Sequence, residues 1–549
     1  MIFSKRVRKI AGVCIIGCVV AIVNQLEVFI QWFQNDSDHV FTGIAHYYAD
    51  YFLYVTQMSE GVFGNILAYH RFTNEVLPPI WIYWFNLLLG NIGNLMRISP
   101  FASYNISLFL LVIALTYVWY YVASLLYPTQ KIQRFVFMLF VLTSTNLFNL
   151  RSFFTKQMIE FMGMTWFSPT LSLNRFGGVP HQIFQTILFV GLVIISTKLL
   201  EKTSSVRPKM ILLFTFIVLL ASTANPIQML IFISALVCIY CWIMVEKHTV
   251  DTKHTMIVGI ALFVSFLGAF LTNISFLHPI LAQAKTWESV QQAHISLFNL
   301  LVSMGPISLF ALFGLSVISK KLTMTQKLLF LYGILSLIFF FSPIPRLLET
   351  SNLRFLHPAP YGMWAMLGVE GFMLLSKTIR DLLKKKISMV SIQSMFLILY
   401  ILFTIPSFYK EIDDRANPSA NPILTSNLNH VPKTIVSSFA WLKQQQDKNP
   451  VVVTDPSLPY DIVIPVFSGK TSFTGHPIHT LYPEEKESLR SQLFQGKMTE
   501  SELRSFLFNH RIGYLLIQNS SPAIPYFLSK SFLYKAYDYG SIAIFSVAL

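Results

Sequence analysis

Apolar stretches about as long as a lipid bilayer is thick recur along the first three quarters of this 549-residue chain, and they leave few architectures open. A helix rises about 1.5 Å per residue, so roughly 20 apolar residues cross a hydrocarbon core of about 30 Å. Windows of this kind fall at 10–32, 104–127, 132–150, 181–200, 210–223, 227–246, 255–277, 296–318, 327–343, 355–376 and 388–407. In lipid every backbone N–H and C=O must be paired inside the protein, which confines spanning segments to helices and closed barrels. Uninterrupted runs of this length select helices. The expected fold class is a polytopic α-helical membrane protein with about eleven transmembrane helices over residues 1–407. Composition agrees: 54% of residues are hydrophobic and 12% charged, where a soluble domain carries about 25% charged. The window 210–223 is short and stops at Ala224-Asn225-Pro226, which reads as a broken helix of the kind tolerated only where its backbone is buried in protein or lines a cavity.

A formal net charge of +15 raises the question of a nucleic-acid partner. The placement of the basic residues answers it. Lys5, Arg6, Arg8 and Lys9, then Lys131 and Arg134, then the clusters around 198–209, 320–327 and 377–386 fall on alternate connections between spans. That is the positive-inside pattern, so no nucleic-acid binding is expected. It puts the N-terminus in the cytoplasm. Residues 33–103, 151–180, 344–354 and the tail 408–549 then face the extracytoplasmic side of the plasma membrane. The start MIFSKRVRK with its apolar run to Trp32 reads as an uncleaved signal anchor. Cys14, Cys18, Cys238 and Cys241 all lie inside apolar spans and read as packing residues.

The outer stretch 33–103 concentrates acid in a charge-poor chain: Asp36, Asp38, Asp50, Glu60 and Glu75, with aromatics between them. Helical spacing over 41–60 predicts a helix lying at the interface. After Pro78-Pro79, the residues Trp81, Tyr83, Trp84 and Phe85 suit the headgroup level. The loop 151–180 ends in NRFGGVPHQ, where Gly177-Gly178 permits a close backbone approach and Pro180 opens the next helix. Beyond residue 407 the pattern changes. Helices are predicted over 433–446, 483–496 and 499–509, the last with a Thr499/Glu502 capping box. Strands are predicted at 451–454 and 514–518, with a hairpin around Asp538-Tyr539-Gly540. Such alternation describes a small extracytoplasmic α/β domain over 408–549. Gly469-Lys470-Thr471 lacks the upstream glycine of a phosphate-binding loop, since position 464 is Ile.

An outward-facing site has no nucleotide sugar to draw on, so a donor there arrives on a lipid. Transfer from a lipid phosphate needs a carboxylate to take the acceptor's proton, a cation for the leaving phosphate and a groove for the lipid tail. Asp50 shares a helical face with Tyr54 and Gln57. Asp36 and Asp38, where the first span ends, are alternative bases or metal ligands, and Glu60 and Glu75 are further acids. Arg354 opens the tenth span, with Arg346 as its competitor. Arg175 and His181 flank Gly177-Gly178-Val179-Pro180, and His357 follows Arg354. His476 and His479 read as a surface turn.

This layout resembles the GT-C superfamily of integral-membrane glycosyltransferases. The features shared are an acidic first outer loop, an interfacial helix, about eleven spans and an extracytoplasmic C-terminal domain. Bacterial proteins of this type have an Asp, a Tyr four residues on and a Gly about eleven residues after the Asp, matched by Asp50, Tyr54 and Gly61. Arg354-Phe355 matches their Arg-Phe pair, and Gly475-His476 a Gly-His segment in their tails. The resemblance implies a polyprenyl-phosphate or diphosphate sugar as donor and a hydroxyl on a glycan, lipid or protein as acceptor. Asp50 is then the base and Arg354 the phosphate ligand, the two facing one outward crevice. Tyr54, Glu75, Arg175, His181 and His357 stand as further substrate-binding candidates. Residue 49 is Ala, so Asp50 lacks an acidic neighbour for a paired-carboxylate metal site, and a divalent metal remains an open cofactor. The alternatives are a lipid-linked-sugar transporter or flippase, and a non-catalytic membrane scaffold.

Overall fold

The windows fold as helices, and the breaks between them follow proline, glycine and asparagine. In the computed structural model the described residues are 5–44, 46–156, 158–165, 169–201, 208–248, 250–317, 322–416, 427–445 and 450–548. Basic residues Lys202, Arg207, Lys320 and Lys321 of the topology argument lie outside them. Long helices run over Pro100–Leu126, Pro180–Glu201, Pro226–Lys247, Thr252–Ser275, Met324–Phe341 and Met389–Ala416. Among the described residues these six are long and apolar enough to cross a membrane singly, and a pair broken after Asn24 makes a seventh. The protein is therefore a multi-pass membrane protein. The remaining expected windows form shorter or less apolar helices: Lys131–Thr143, Pro208–Ala224, Gly362–Leu382, and Leu297–Ser303 followed by Ile307–Leu315. Gly305 makes that last break. It has φ +77°, and a Cβ on it would lie 1.8 Å from the Thr145 carbonyl oxygen.

The chain folds as two units that interleave in sequence. The first comprises Met1–Leu26, Leu108–Asn273 and Glu288–Ala416; the second comprises Glu27–Ser107, Ile274–Trp287 and Asn417–Leu549. The outer stretch thus groups with the tail.

In the first unit, helices approach through small residues. A Cβ on Gly371 would lie 1.8 Å from the Phe310 carbonyl oxygen, and one on Gly314 would lie 2.0 Å from that of Leu367. Membrane helices lack a hydrophobic drive to pair, so such close backbone packing contributes much of their association. The break at Asn225 is satisfied within the protein. The Asn225 side chain accepts from Gln228 N at 3.0 Å and donates to Gln185, whose own amide donates to the Ala224 carbonyl at 2.8 Å. Gly177 makes the close approach expected of it: a Cβ there would lie 2.0 Å from Asn24 Oδ1. Pro180 opens its helix.

In the second unit, a five-stranded sheet runs in the order β4-β3-β5-β7-β6. Its strands are β3 (Val451–Thr454), β4 (Thr471–Ser472), β5 (Ile512–Gln518), β6 (Leu533–Tyr539) and β7 (Ile542–Val547). β3 lies parallel to β4 and β5, while β7 lies antiparallel to β5 and β6. Central β3 is buried throughout and β5 is buried up to Gln518, as expected of strands covered on both faces. Their core includes Val451, Val453, Phe473, Leu493, Phe506, Leu515 and Phe545. Gly540, at φ +64°, turns the predicted hairpin. The capping box at Thr499 forms. A pair of short strands, β1 (His39–Phe41) and β2 (His430–Pro432), joins the outer stretch to the tail within this unit.

The interfacial helix does not begin at 41 but spans Tyr48–Val62. Residues before it are extended because β2 offers them a ladder, and Gly43 at φ +69° leaves the helical region. A second helix, Trp84–Leu95, takes up Trp84 and Phe85 of the expected aromatic belt. The two helices cross at glycine: a Cβ on Gly61 would lie 2.3 Å from the Leu87 carbonyl oxygen, and one on Gly90 would lie 2.0 Å from that of Met58.

Candidate functional site

Asp50 sits in the first turn of the helix Tyr48–Val62, where the helix dipole favours a negative charge. The rest of that turn holds it in place. Tyr51 is fully buried and donates to the Thr42 carbonyl at 2.6 Å. His46 stacks between Tyr54 and Tyr104, with ring centroids 6.0 and 5.9 Å away. Burial first, and the charge of Asp50 after it, hold the Tyr83 phenol above its ordinary range, so it stays a protonated donor. The Asp50 side chain is 35% exposed, and Nε2 of His476 lies 3.5 Å from its Oδ1. A carboxylate part-shielded by aromatics, facing an imidazole and still open to solvent, suits a general base. Gln57, expected on the same face, instead accepts from Asn86 at 2.6 Å.

His476 and His479 are not a surface turn: they are 2% and 6% exposed. The segment folds inward because Gln283 donates to the carbonyls of Ile478 and Thr480, at 2.8 and 2.9 Å. The two rings meet edge to face at 4.7 Å, and His70 stacks on His479 at 5.7 Å and lies 4.8 Å from His278. Sequence reasoning missed this four-histidine cluster because its members come from three separate segments. Burial and then neighbouring imidazoles push His70 down to about 3 and His479 well below the ordinary value, and burial lowers His278. The unfolded chain takes up these protons near pH 6.5, whereas the folded chain resists. Stability is therefore complete above about pH 6.5 and falls as pH drops, by up to about 1.4 kcal/mol per pH unit for each histidine. The thermal midpoint of the detergent-solubilised protein should fall between pH 7 and pH 5, and less steeply for His479→Phe. Equal slopes would contradict this. Among the described residues no three His, Cys, Asp or Glu side chains are grouped so as to hold a metal ion.

The other acids are placed differently. Asp36 is exposed; it accepts from Asp38 N and lies 2.7 Å from His39 Nδ1, a bond that lowers its carboxyl pKa. Asp38 accepts from Ser37, and its carbonyl receives Lys433 N, so this corner leads into β1. Glu60 is buried and held by Arg71 at 2.7 Å. Glu75 pairs with Lys486 of the tail at 2.8 Å.

Arg354, His357, Arg175 and His181 belong to the first unit. Arg354 is fixed on both sides. Its carbonyl receives the Gln228 amide at 2.7 Å, and Gln228 in turn accepts from Tyr332 at 3.0 Å. Its guanidinium grips Glu288 in a fork, at 2.6 and 3.0 Å, with the side chain 41% exposed. Thr350 donates to the same carboxylate at 2.9 Å. Glu288 carried no sequence signal, because its partner lies 66 residues away. Arg175 is buried. It donates to the carbonyls of Val141, Ser144 and Pro169, and stacks 4.1 Å over Tyr361. Those bonds tie the loop 169–175 to the helix Lys131–Thr143. His357 is buried; its Nδ1 accepts from Ala359 N at 3.2 Å. His181 lies one residue into the helix that Pro180 opens.

No protein-family model and no curated protein matches the sequence. Solved structures do match in fold. The oligosaccharyltransferase of Archaeoglobus fulgidus in its apo form aligns with a TM-score of 0.55 at 10% identity, over 93% of this chain and 69% of that one. The A. fulgidus enzyme AglB, in complex with an inhibitory peptide and a dolichol-phosphate, aligns with a TM-score of 0.50 over the same shares, also at 10% identity. The mycobacterial arabinofuranosyltransferase AftD aligns with a TM-score of 0.54 at 11% identity, over 100% of this chain and 40% of that one.

Proposed function

From the premise that this chain has the GT-C fold of membrane glycosyltransferases, we propose that it transfers a sugar from a polyprenyl-phosphate or diphosphate donor to an acceptor hydroxyl on the extracytoplasmic face. The single observation that carries the reading is Asp50: a part-exposed carboxylate on the first turn of a rigidly packed helix, facing a buried imidazole. AglB was solved with a dolichol-phosphate, a lipid phosphate of the class proposed here.

In the proposed step the acceptor oxygen attacks the anomeric carbon and its proton passes to Asp50. The bond from that carbon to the phosphate oxygen breaks, and its electron pair leaves with the lipid phosphate. Attack opposite the leaving group inverts the anomeric configuration. Arg354 is proposed, within its own unit, as a ligand for a lipid phosphate; Glu288 holds its guanidinium in one orientation, which lowers the ordering cost of such a contact. The N-terminus is cytoplasmic and the tail extracytoplasmic in this reading, consistent with the basic clusters.

The test is turnover of synthetic polyprenyl-phosphate-linked glucose, mannose and arabinose by the purified full-length protein. Arg354→Gln is expected to raise the donor KM about tenfold or more, the loss of a charge-assisted contact to phosphate. An unchanged KM would remove Arg354 from the donor site.

A further inference from the structure

We infer that His476 is the positioning residue for Asp50, with its Nε2–H fixed towards the carboxylate by the turn that carries it; this rests on the reading of Asp50 as base. The proton's location follows from the backbone. His476 Nδ1 accepts from Ile478 N at 3.1 Å and from His479 N at 3.2 Å. A ring nitrogen that accepts carries no proton, so the neutral imidazole has its hydrogen on Nε2. That Nε2 is buried, makes no hydrogen bond among the described residues, and lies 3.5 Å from Asp50 Oδ1. A buried donor left without an acceptor keeps the cost of its lost hydration. Movement of a few tenths of an ångström by Asp50 would satisfy it, and catalytic hydrogen bonds often tighten only with substrate bound.

The turn is built to hold this aim. Thr480 N donates to the His476 carbonyl at 3.0 Å, and Thr480 Oγ1 donates to the Phe72 carbonyl at 2.9 Å. Leu481 N donates to Thr73 Oγ1 at 3.2 Å. Glycine at position 475 leaves room for the Phe72 ring, which a Cβ there would approach to 2.9 Å and push aside. His479 closes the far side of the ring. Asp50 is also faced by the phenol of Tyr104 and by those of Tyr47 and Tyr83, the latter two held above their ordinary range first by burial and so neutral in the working range. Removing the His476 ring therefore takes an N–H donor away from Asp50. A donor to the charged form favours it, so losing that donor raises the Asp50 pKa.

Two amide substitutions separate the ring's two nitrogens. Asn keeps an acceptor near Nδ1 for the turn but has no donor at Nε2. Gln keeps a donor near Nε2. Full-length wild type, His476→Asn, His476→Gln and Asp50→Asn are compared on the donor that wild type turns over, by polyprenyl-phosphate release between pH 5 and pH 9. His476→Asn is expected to lower kcat about 10- to 100-fold, leave the donor KM unchanged, keep the thermal midpoint, and move the acid limb of the profile to higher pH. His476→Gln is expected to keep the wild-type limb and recover most of kcat. An unmoved limb in His476→Asn, or equal losses in the two amides, overturns the inference while an inactive Asp50→Asn leaves the base assignment standing. A wild-type protein that turns over no donor overturns both.

Discussion

Asp50→Asn is expected to lower sugar transfer about 10²- to 10⁴-fold, the usual contribution of a well-placed general base, while leaving expression and thermal midpoint unchanged. The amide matches the carboxylate in size and can still face His476 with its carbonyl oxygen. It cannot take the acceptor's proton. The measurement is kcat at saturating donor and acceptor, because a base acts in the chemical step more than in donor binding. Exposed Asp36, turned into a local loop with His39, should tolerate the same change. Undiminished turnover in Asp50→Asn would move the base to Asp36 or Asp38.

Gly90→Val is expected to produce the largest loss of stability, about 3 kcal/mol or more. Two helices of the second unit touch backbone to backbone at this point. A Cβ on Gly90 would lie 2.0 Å from the Met58 carbonyl oxygen and 2.8 Å from its carbon. Neither atom can rotate away, so the helices must part, and one of them carries Asp50. The reciprocal glycine, Gly61, would bring its Cβ to 2.3 Å from the Leu87 carbonyl oxygen. Gly191→Ala is the control, since a Cβ there meets nothing within 4 Å; it should be neutral or slightly stabilising. Thermal midpoints of the three proteins in one detergent decide the matter. A Gly90→Val protein as stable as Gly191→Ala would contradict the packing.

Much of the architecture was legible because lipid imposes it. Continuous apolar runs and alternate basic clusters read as spanning helices, and proline marked the start of the helix at Pro180 and a break at Pro226. The tail was legible from local chemistry: a capping box at Thr499 and a glycine turn at Gly540. What escaped depends on distant partners. The extended run before Tyr48 follows from pairing with a strand nearly 400 residues on, which no local window contains. The cluster of His70, His278, His476 and His479 is assembled from three segments, and locally His476 and His479 look like no more than a surface turn. Glu288 was invisible for the same reason. Gly61 was noted as a spaced glycine, and its cause is a helix crossing that only the fold supplies.

Release of free polyprenyl phosphate tests most directly whether a sugar is transferred from a lipid phosphate with Asp50 as base. Purified full-length protein is supplied with polyprenyl-phosphate-linked glucose, mannose and arabinose, and the lipid products of wild type and Asp50→Asn are quantified side by side. The predicted result is release from at least one donor by wild type and a loss of at least about 100-fold in the variant. Release from none of the three, or equal release by both proteins, would contradict it.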